Sequence, residues 1–316
     1  MPQIFHFIFI ACCCIIFSSR MEAQPTSQYD DLRRYIGKKS IAVIDSAKLR
    51  ITYSLQYVPD STKPQQILKD RKILLIGDDL SHFYSYYVRQ ADSALTADWD
   101  KGKNSAPLKQ PADMLGEGYD IYYRYSSGKQ TVMEPITDLS TYRYEENDAT
   151  PQWTIGDETA TILSYNCQKA FTRFRGRDWT VWFATDIPLN AGPWKLRGLP
   201  GLILKASDSR NHYVFECIGI EQLRQIKQPV IMIGVSRLIK CSRDEYRKAQ
   251  KQFYENYVNA LLALGFNVYV QDDSGKTIEE IATPNKEFEE RHISWSTKID
   301  VADRYRKIPY NPIELE

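Results

Sequence analysis

From Leu49 to Tyr57 apolar and polar residues alternate: Leu49, Ile51, Tyr53, Leu55 and Tyr57 stand against Arg50, Thr52, Ser54 and Gln56. A period of two marks a strand with one buried face. The apolar run 73–76 and the segment 81–84 flank Gly77, Asp78 and Asp79, which predicts a hairpin. A second hairpin is predicted from 119–125 and 130–133 around the turn at 126–129. Between the two hairpins, residues 98–118 are rich in Lys, Pro, Gly and Asp and read as a mobile loop. From Trp153 onward the pattern predicts short strands at 153–155, 160–174, 179–185, 202–206, 213–220 and 230–238, joined as a meander.

One segment carries a helical period instead. Ser242, Arg243, Asp244 and Glu245 offer a capping box, and Gly265 offers a stop. Between them Tyr246, Ala249, Phe253, Tyr257, Leu261 and Leu264 share one face, which needs a sheet to lie on. The expected fold is therefore α+β: a curved, mainly antiparallel sheet, open and half-barrel-like, with a long helix from the C-terminal half packed on one side. Nothing divides residues 24–316, which read as a single domain.

The first 17 residues form an apolar run followed by Ser18 to Gln24. That layout predicts a secretory signal peptide over 1–23, cleaved after Ala23. An uncleaved anchor and a lipid on Cys12 stay open. An exported chain faces an oxidising compartment. Cys167, Cys217 and Cys241 remain after the leader, and spacings of about 50 and 24 residues fit no metal motif. Buried inert thiols are expected, with at most one disulfide within a monomer.

With 41 basic and 40 acidic side chains, bulk charge gives no drive toward nucleic acid or an anionic membrane. The histidines outside the leader, His82, His212 and His292, show no metal-ligand spacing. His212 reads as a surface residue at a turn. No nucleophile elbow and no phosphate-cradling glycine loop occurs, so no cofactor or metal is expected. Glu145, Glu146 and Asp148, with Asp157 and Glu158, form acidic groups on expected loops that solvation explains as well as calcium or paired-carboxylate chemistry does.

The densest feature is Gly192-Pro193-Trp194-Lys195-Leu196-Arg197-Gly198-Leu199-Pro200-Gly201-Leu202-Ile203-Leu204. Pro200 and Gly201 suit the centre of a type II turn, with φ positive at the glycine. Trp194 is then an anchor with a packed ring and a bonded N–H. Arg173, Arg175 and Arg177 lie near Gly176, and Lys195 and Arg197 sit on the rigid connection. If these groups face one space they form a site for a carboxylate or phosphate; as solvated strand and loop charges they form none.

Together with Tyr165 to Ala170, Phe174 to Arg177, Trp182 to Pro188 and Tyr310 to Glu314, this segment resembles the GLPGLI family of bacterial envelope proteins. The resemblance implies a protein in the periplasm or at the outer membrane of a Gram-negative bacterium. It supplies no catalytic residues. Three functions fit: a non-enzymatic envelope protein that binds a small apolar or anionic ligand or a partner such as an outer-membrane protein, in assembly or uptake; a carboxylate-dependent hydrolase; or a structural protein of an envelope complex. The carrier form of the first requires an apolar concavity between sheet and helix, and peripheral membrane association fits it.

Overall fold

The computed structural model describes residues 40–90, 118–137, 140–147, 150–223, 228–234, 238–263, 266–271, 276–282, 295–300 and 311–315. The leader, Cys12, Asp148, His292, the Gly265 stop and nearly all of the 98–118 loop fall outside them. The first strands are β1 (Ser40–Ala47), β2 (Leu49–Tyr57), β3 (Leu68–Ile76), β4 (Leu80–Ser85), β5 (Asp120–Arg124), β6 (Lys129–Thr137) and β7 (Ser140–Asn147). They are followed by β8 (Thr154–Ile162), β9 (Tyr165–Phe174), β10 (Arg177–Ala184), β11 (Leu202–Asp208), β12 (Tyr213–Gln222), β13 (Gln228–Gly234) and β14 (Leu238–Lys240). The chain ends in α1 (Arg243–Glu255), α2 (Tyr257–Ala263), β15 (Phe266–Gln271), β16 (Thr277–Ile281) and β17 (Trp295–Asp300).

Twelve strands form one sheet in the order β14-β7-β6-β5-β4-β3-β2-β12-β11-β10-β9-β8. It consists of two meanders, β2 to β7 and β8 to β12, joined by the antiparallel pairing of β2 with β12, and of β14, which adds to β7 in parallel. The alternation read from Leu49 to Tyr57 is realised: Ile51, Tyr53 and Leu55 are fully buried. The expected strand at 160–174 is two strands, because Leu163 and Ser164 both take positive φ and turn the chain tightly. Arg175 and Gly176 do the same between β9 and β10.

The inner face of the sheet closes on one apolar core. Phe83 of β4 meets Phe215 of β12 edge-on at 6.3 Å, and the Tyr53 hydroxyl donates to the Ile203 carbonyl at 2.8 Å. The outer face is treated differently in the two meanders. Over β3 to β6 it is covered by the β1–β13 ribbon, where Ala47 and Val230 pack on Ile73, Leu75, Leu80, Tyr122 and Met133. Over β8 to β10 no described element covers it, and Phe171 stays 37% exposed.

The structure corrects the α+β expectation. Strand dominates, the described helices are short, and the predicted long helix is broken at Asn256. The Ser242 capping box forms as read. Asn256, however, takes a non-helical backbone, φ −129° and ψ 40°, and ends α1, with its side-chain amide donating to the Gln252 carbonyl. The apolar face then serves two cores. Tyr246 packs with Tyr142 and Tyr144 under the large sheet, whereas Tyr257 and Leu261 pack with Val268 and Val270 of the three-stranded sheet β16-β15-β17. One straight helix could not serve both.

Candidate functional site

The segment between β10 and β11 is the filling of the sheet rather than a loop on it. Trp194, Lys195, Leu196 and Leu199 are 4% exposed or less, and Arg197 is 7% exposed. Two glycines allow this, for different reasons. Gly198 takes φ of +104°, which disfavours a side chain. Gly201 does not have positive φ, so the expected type II turn is absent; a Cβ there would lie 2.2 Å from the Ala184 carbonyl oxygen. Its glycine is required by close approach. Trp194 packs on Phe174 and Trp179, both at 5.6 Å between ring centroids, but its N–H has no partner among the described residues. The ring anchors as expected and the bonded N–H does not.

Lys195, reaching across the interior, donates to Glu146 of β7 at 2.7 Å and to Glu314 at 2.5 Å, with its own side chain fully buried. Arg175 donates to Glu146 at 2.7 Å from the β9–β10 turn. Arg243, the first residue of α1, donates twice to Glu314, at 2.9 and 2.7 Å, and lies 3.4 Å from Glu146. Arg197 donates to the Gln130 side chain at 2.7 Å while its guanidinium stacks 3.8 Å over Tyr123, and Gln130 in turn donates to Glu146. Gly192 to Gly201 thus ties β10–β11 to β5, β6 and β7.

Of the six proposed site residues, Arg175 and Lys195 meet at an internal carboxylate, Glu146, and Arg197 reaches it only through Gln130. Trp194 is packing. Arg173 points away and pairs at 3.2 Å with Asp178 on the open surface. Arg177 belongs to a second buried group: it bonds Asp208 at 2.7 Å, the Asn311 side chain at 2.8 Å and the carbonyls of Pro312 and Ile313. Gly192 and Pro193 shape the entry to the filling, and Gly198, Leu199, Pro200 and Gly201 its exit. A Cβ on Gly192 would lie 2.5 Å from the Leu196 carbonyl oxygen.

Sequence reasoning missed Glu134, Glu146, Glu314 and Asn311. Glu146 was read as a loop charge; it lies on β7 and is 6% exposed. His212 was read as a surface residue; it is 9% exposed and its ring nitrogen lies 3.1 Å from the Asn311 amide. The signal that could have found Asn311 and Glu314 was the Tyr310 to Glu314 motif itself, whose Asn and Glu are costly to bury without partners.

Burial pushes the Glu134 carboxyl up to about 7; Lys195 opposes this and the neighbouring Glu314 and Glu146 reinforce it. Burial acts the same way on Glu314, but Lys195 and Arg243 outweigh it and hold this carboxyl at about 2. Two carboxyls pushed apart in this way can divide acid and base roles. Such chemistry needs room for a substrate. A cavity of about 20 Å³ nearby is lined by Ser81, Tyr123, Gln130, Trp194, Lys195 and Arg197 among others, but by none of the three glutamates. Among the described residues no group of His, Cys, Asp and Glu is placed to hold a metal ion. Cys167 and Cys217 are buried free thiols and Cys241 is a half-buried one; burial pushes Cys217 up to about 11.

Residues 141–237 match the family model described as N-glycanase peptide, N-terminal domain. The match contains Glu146 and all of Gly192 to Leu204, and stops before α1 and Glu314. Two solved structures of PNGF-II, in space groups P21 and C2, are similar at 15% and 16% identity with TM-scores of 0.42 and 0.41. The alignments cover 65% and 66% of this chain and 33% of each of those, so the chain spans about a third of the length of the structures it matches. No curated protein matches the chain.

Proposed function

We propose that the chain is a non-catalytic, exported envelope protein of GLPGLI type that works by binding a protein partner. The observation that carries this reading is where the free surface lies. The inner face is filled by Trp194, Leu196 and Leu199, so the apolar concavity that a small-ligand carrier requires is not present among the described residues. No described element covers the outer face of β8–β10. There Lys169, paired with Glu158 at 2.8 Å, lies between two aromatic rings, 5.2 Å from Phe171 and 5.6 Å from Trp182, beside an edge of β8 that no described strand pairs. Aromatic rings with a cation between them suit a protein interface.

The hydrolase alternative draws on the N-glycanase match and on the three clustered glutamates. Crowding weighs against it: Glu134, Glu146 and Glu314 are each 8% exposed or less, and cations of the chain itself pair with Glu146 and Glu314. A photo-crosslinking side chain at Phe171, introduced in intact cells, tests the partner reading. A discrete adduct with an envelope protein is expected, and Phe171→Asp should abolish co-purification of that protein while leaving thermal unfolding unchanged. Undiminished co-purification with Phe171→Asp would sink the reading.

A further inference from the structure

Asn311–Leu315 are held as a bound peptide is held. They form neither helix nor strand, and their polar groups reach distant parts of the chain. Asn311 donates its N–H to the Pro59 carbonyl at 3.0 Å and its side-chain amide to the Val58 carbonyl at 2.6 Å. Its side-chain oxygen accepts from Arg177 at 2.8 Å, and its carbonyl accepts from the Tyr213 hydroxyl at 3.0 Å. The Glu314 carboxylate takes Lys195 and Arg243, and its carbonyl takes Arg247 at 2.5 Å. Leu315 donates its N–H to the Arg175 carbonyl at 3.0 Å.

The cations that line the groove are not held by this strap alone. Each cation that grips it also has a fixed partner in the frame: Asp208 for Arg177, Glu146 for Lys195 and Arg243, and Gln250 for Arg247. Removing Glu314 leaves Lys195, Arg175 and Arg243 gathered around Glu146, with Glu134 beside them. That pocket carries surplus positive charge in a desolvated place, which is the chemistry that captures a carboxylate. The Asn311 subsite is selective as well. One side-chain end must donate to Val58 and accept from Arg177, which an amide does and an ionised carboxylate cannot. Between the two subsites, Ile313 packs into the core at 7% exposure.

We infer that this groove is a peptide-recognition site. Its chemistry reads an extended acidic segment with Asn at one position and Glu three positions later, separated by Pro and an apolar residue. Such a segment on a partner protein displaces the chain's own strap, since no contact depends on covalent continuity.

The test uses the full chain carrying Asn311→Ala and Glu314→Gln, which disables the strap and spares the groove. Its probe is a fluorescent synthetic peptide, Tyr-Asn-Pro-Ile-Glu-Leu-Glu. Saturable binding is expected, about 10-fold or more weaker for the peptide with Gln in place of the first Glu, and weaker by a similar factor to the wild-type chain, whose own strap competes. Should the double variant unfold, the peptide is expected to restore its circular dichroism by mass action. A folded variant that binds neither peptide, or both equally, overturns the inference, as does an unfolded variant that the peptide fails to rescue. A 1:1 complex of the double variant with a wild-type chain in light scattering would overturn the foreign partner, making a second copy the occupant.

Discussion

The two ends of the strap are bound by different physics. At Asn311 the chain is read by geometry: an uncharged amide meets two carbonyls, a guanidinium and a hydroxyl. At Glu314 it is read by charge, with one carboxylate between Lys195 and Arg243 and two further glutamates close by. Each end costs desolvation, but only the second collects several charges in one buried place, so its balance depends on every member being present. The Asn311 end sets which peptide is read and the Glu314 end sets how strongly it is held.

The largest effect is expected from Lys195→Met. It leaves Glu146 and Glu314 facing one another without their shared ammonium, and breaking a buried pair in this way costs about 3–5 kcal/mol. Urea unfolding measures it. Asn311→Ala strands the Val58 carbonyl and takes one acceptor from an arginine arm that keeps the Pro312 carbonyl, so a smaller loss of about 1–3 kcal/mol is expected. Equal losses from the two substitutions would erase the distinction between the ends.

The pH dependence of stability sharpens the same contrast. Glu314 has a folded pKa of about 2 against 4.5, so its contribution is complete above pH 4.5 and is lost as pH falls toward 2. Glu134 has a folded pKa of about 7 against 4.5, so the fold resists its ionisation. Its contribution to stability therefore falls from pH 4.5 to about 7 and then levels off. Each limb is worth on the order of 3 kcal/mol, and the two together place a maximum near pH 4.5. Glu134→Gln should remove the alkaline limb and keep the acid one. Asn311→Ala, which deletes no ionisable group, should keep both. Unfolding free energies between pH 3 and 8 decide this, and an alkaline limb that survives Glu134→Gln would show that another group causes it.

The strands were legible because each half-buried face repeats every two residues, and Ile51, Tyr53 and Leu55 needed nothing from elsewhere in the chain. The break at Asn256 was not legible. The apolar period continues through it, and only the presence of two separate sheets for Tyr246 and Leu261 makes the break favourable. The positive φ expected at Gly201 falls at Gly198 instead, and Gly201 is required by close approach to the Ala184 carbonyl. That Arg173, Arg175, Lys195 and Arg197 could face one space was an open condition of the sequence, set against solvated strand and loop charge. The internal anion was not legible, since Glu146 lies 49 positions before Lys195 and Glu314 lies 119 after it. Spacing along a chain carries no information about contacts of that separation.

Arg173 supplies the smallest expected effect and the cleanest control. It stands two residues from Arg175 on the same turn-bound stretch, with the same guanidinium, yet its side chain is 65% exposed and its partner Asp178 is 62% exposed. Water screens such a pair and competes for both members, so Arg173→Ala should change stability by less than about 0.5 kcal/mol. Arg175→Ala removes an arm from the buried Glu146 carboxylate and should cost several times as much. Measured together by urea unfolding, the two substitutions separate basic residues that build the strap's receptor from one that faces solvent. A loss at Arg173 as large as that at Arg175 would mean that the solvated face, rather than the groove, holds the fold's important charge.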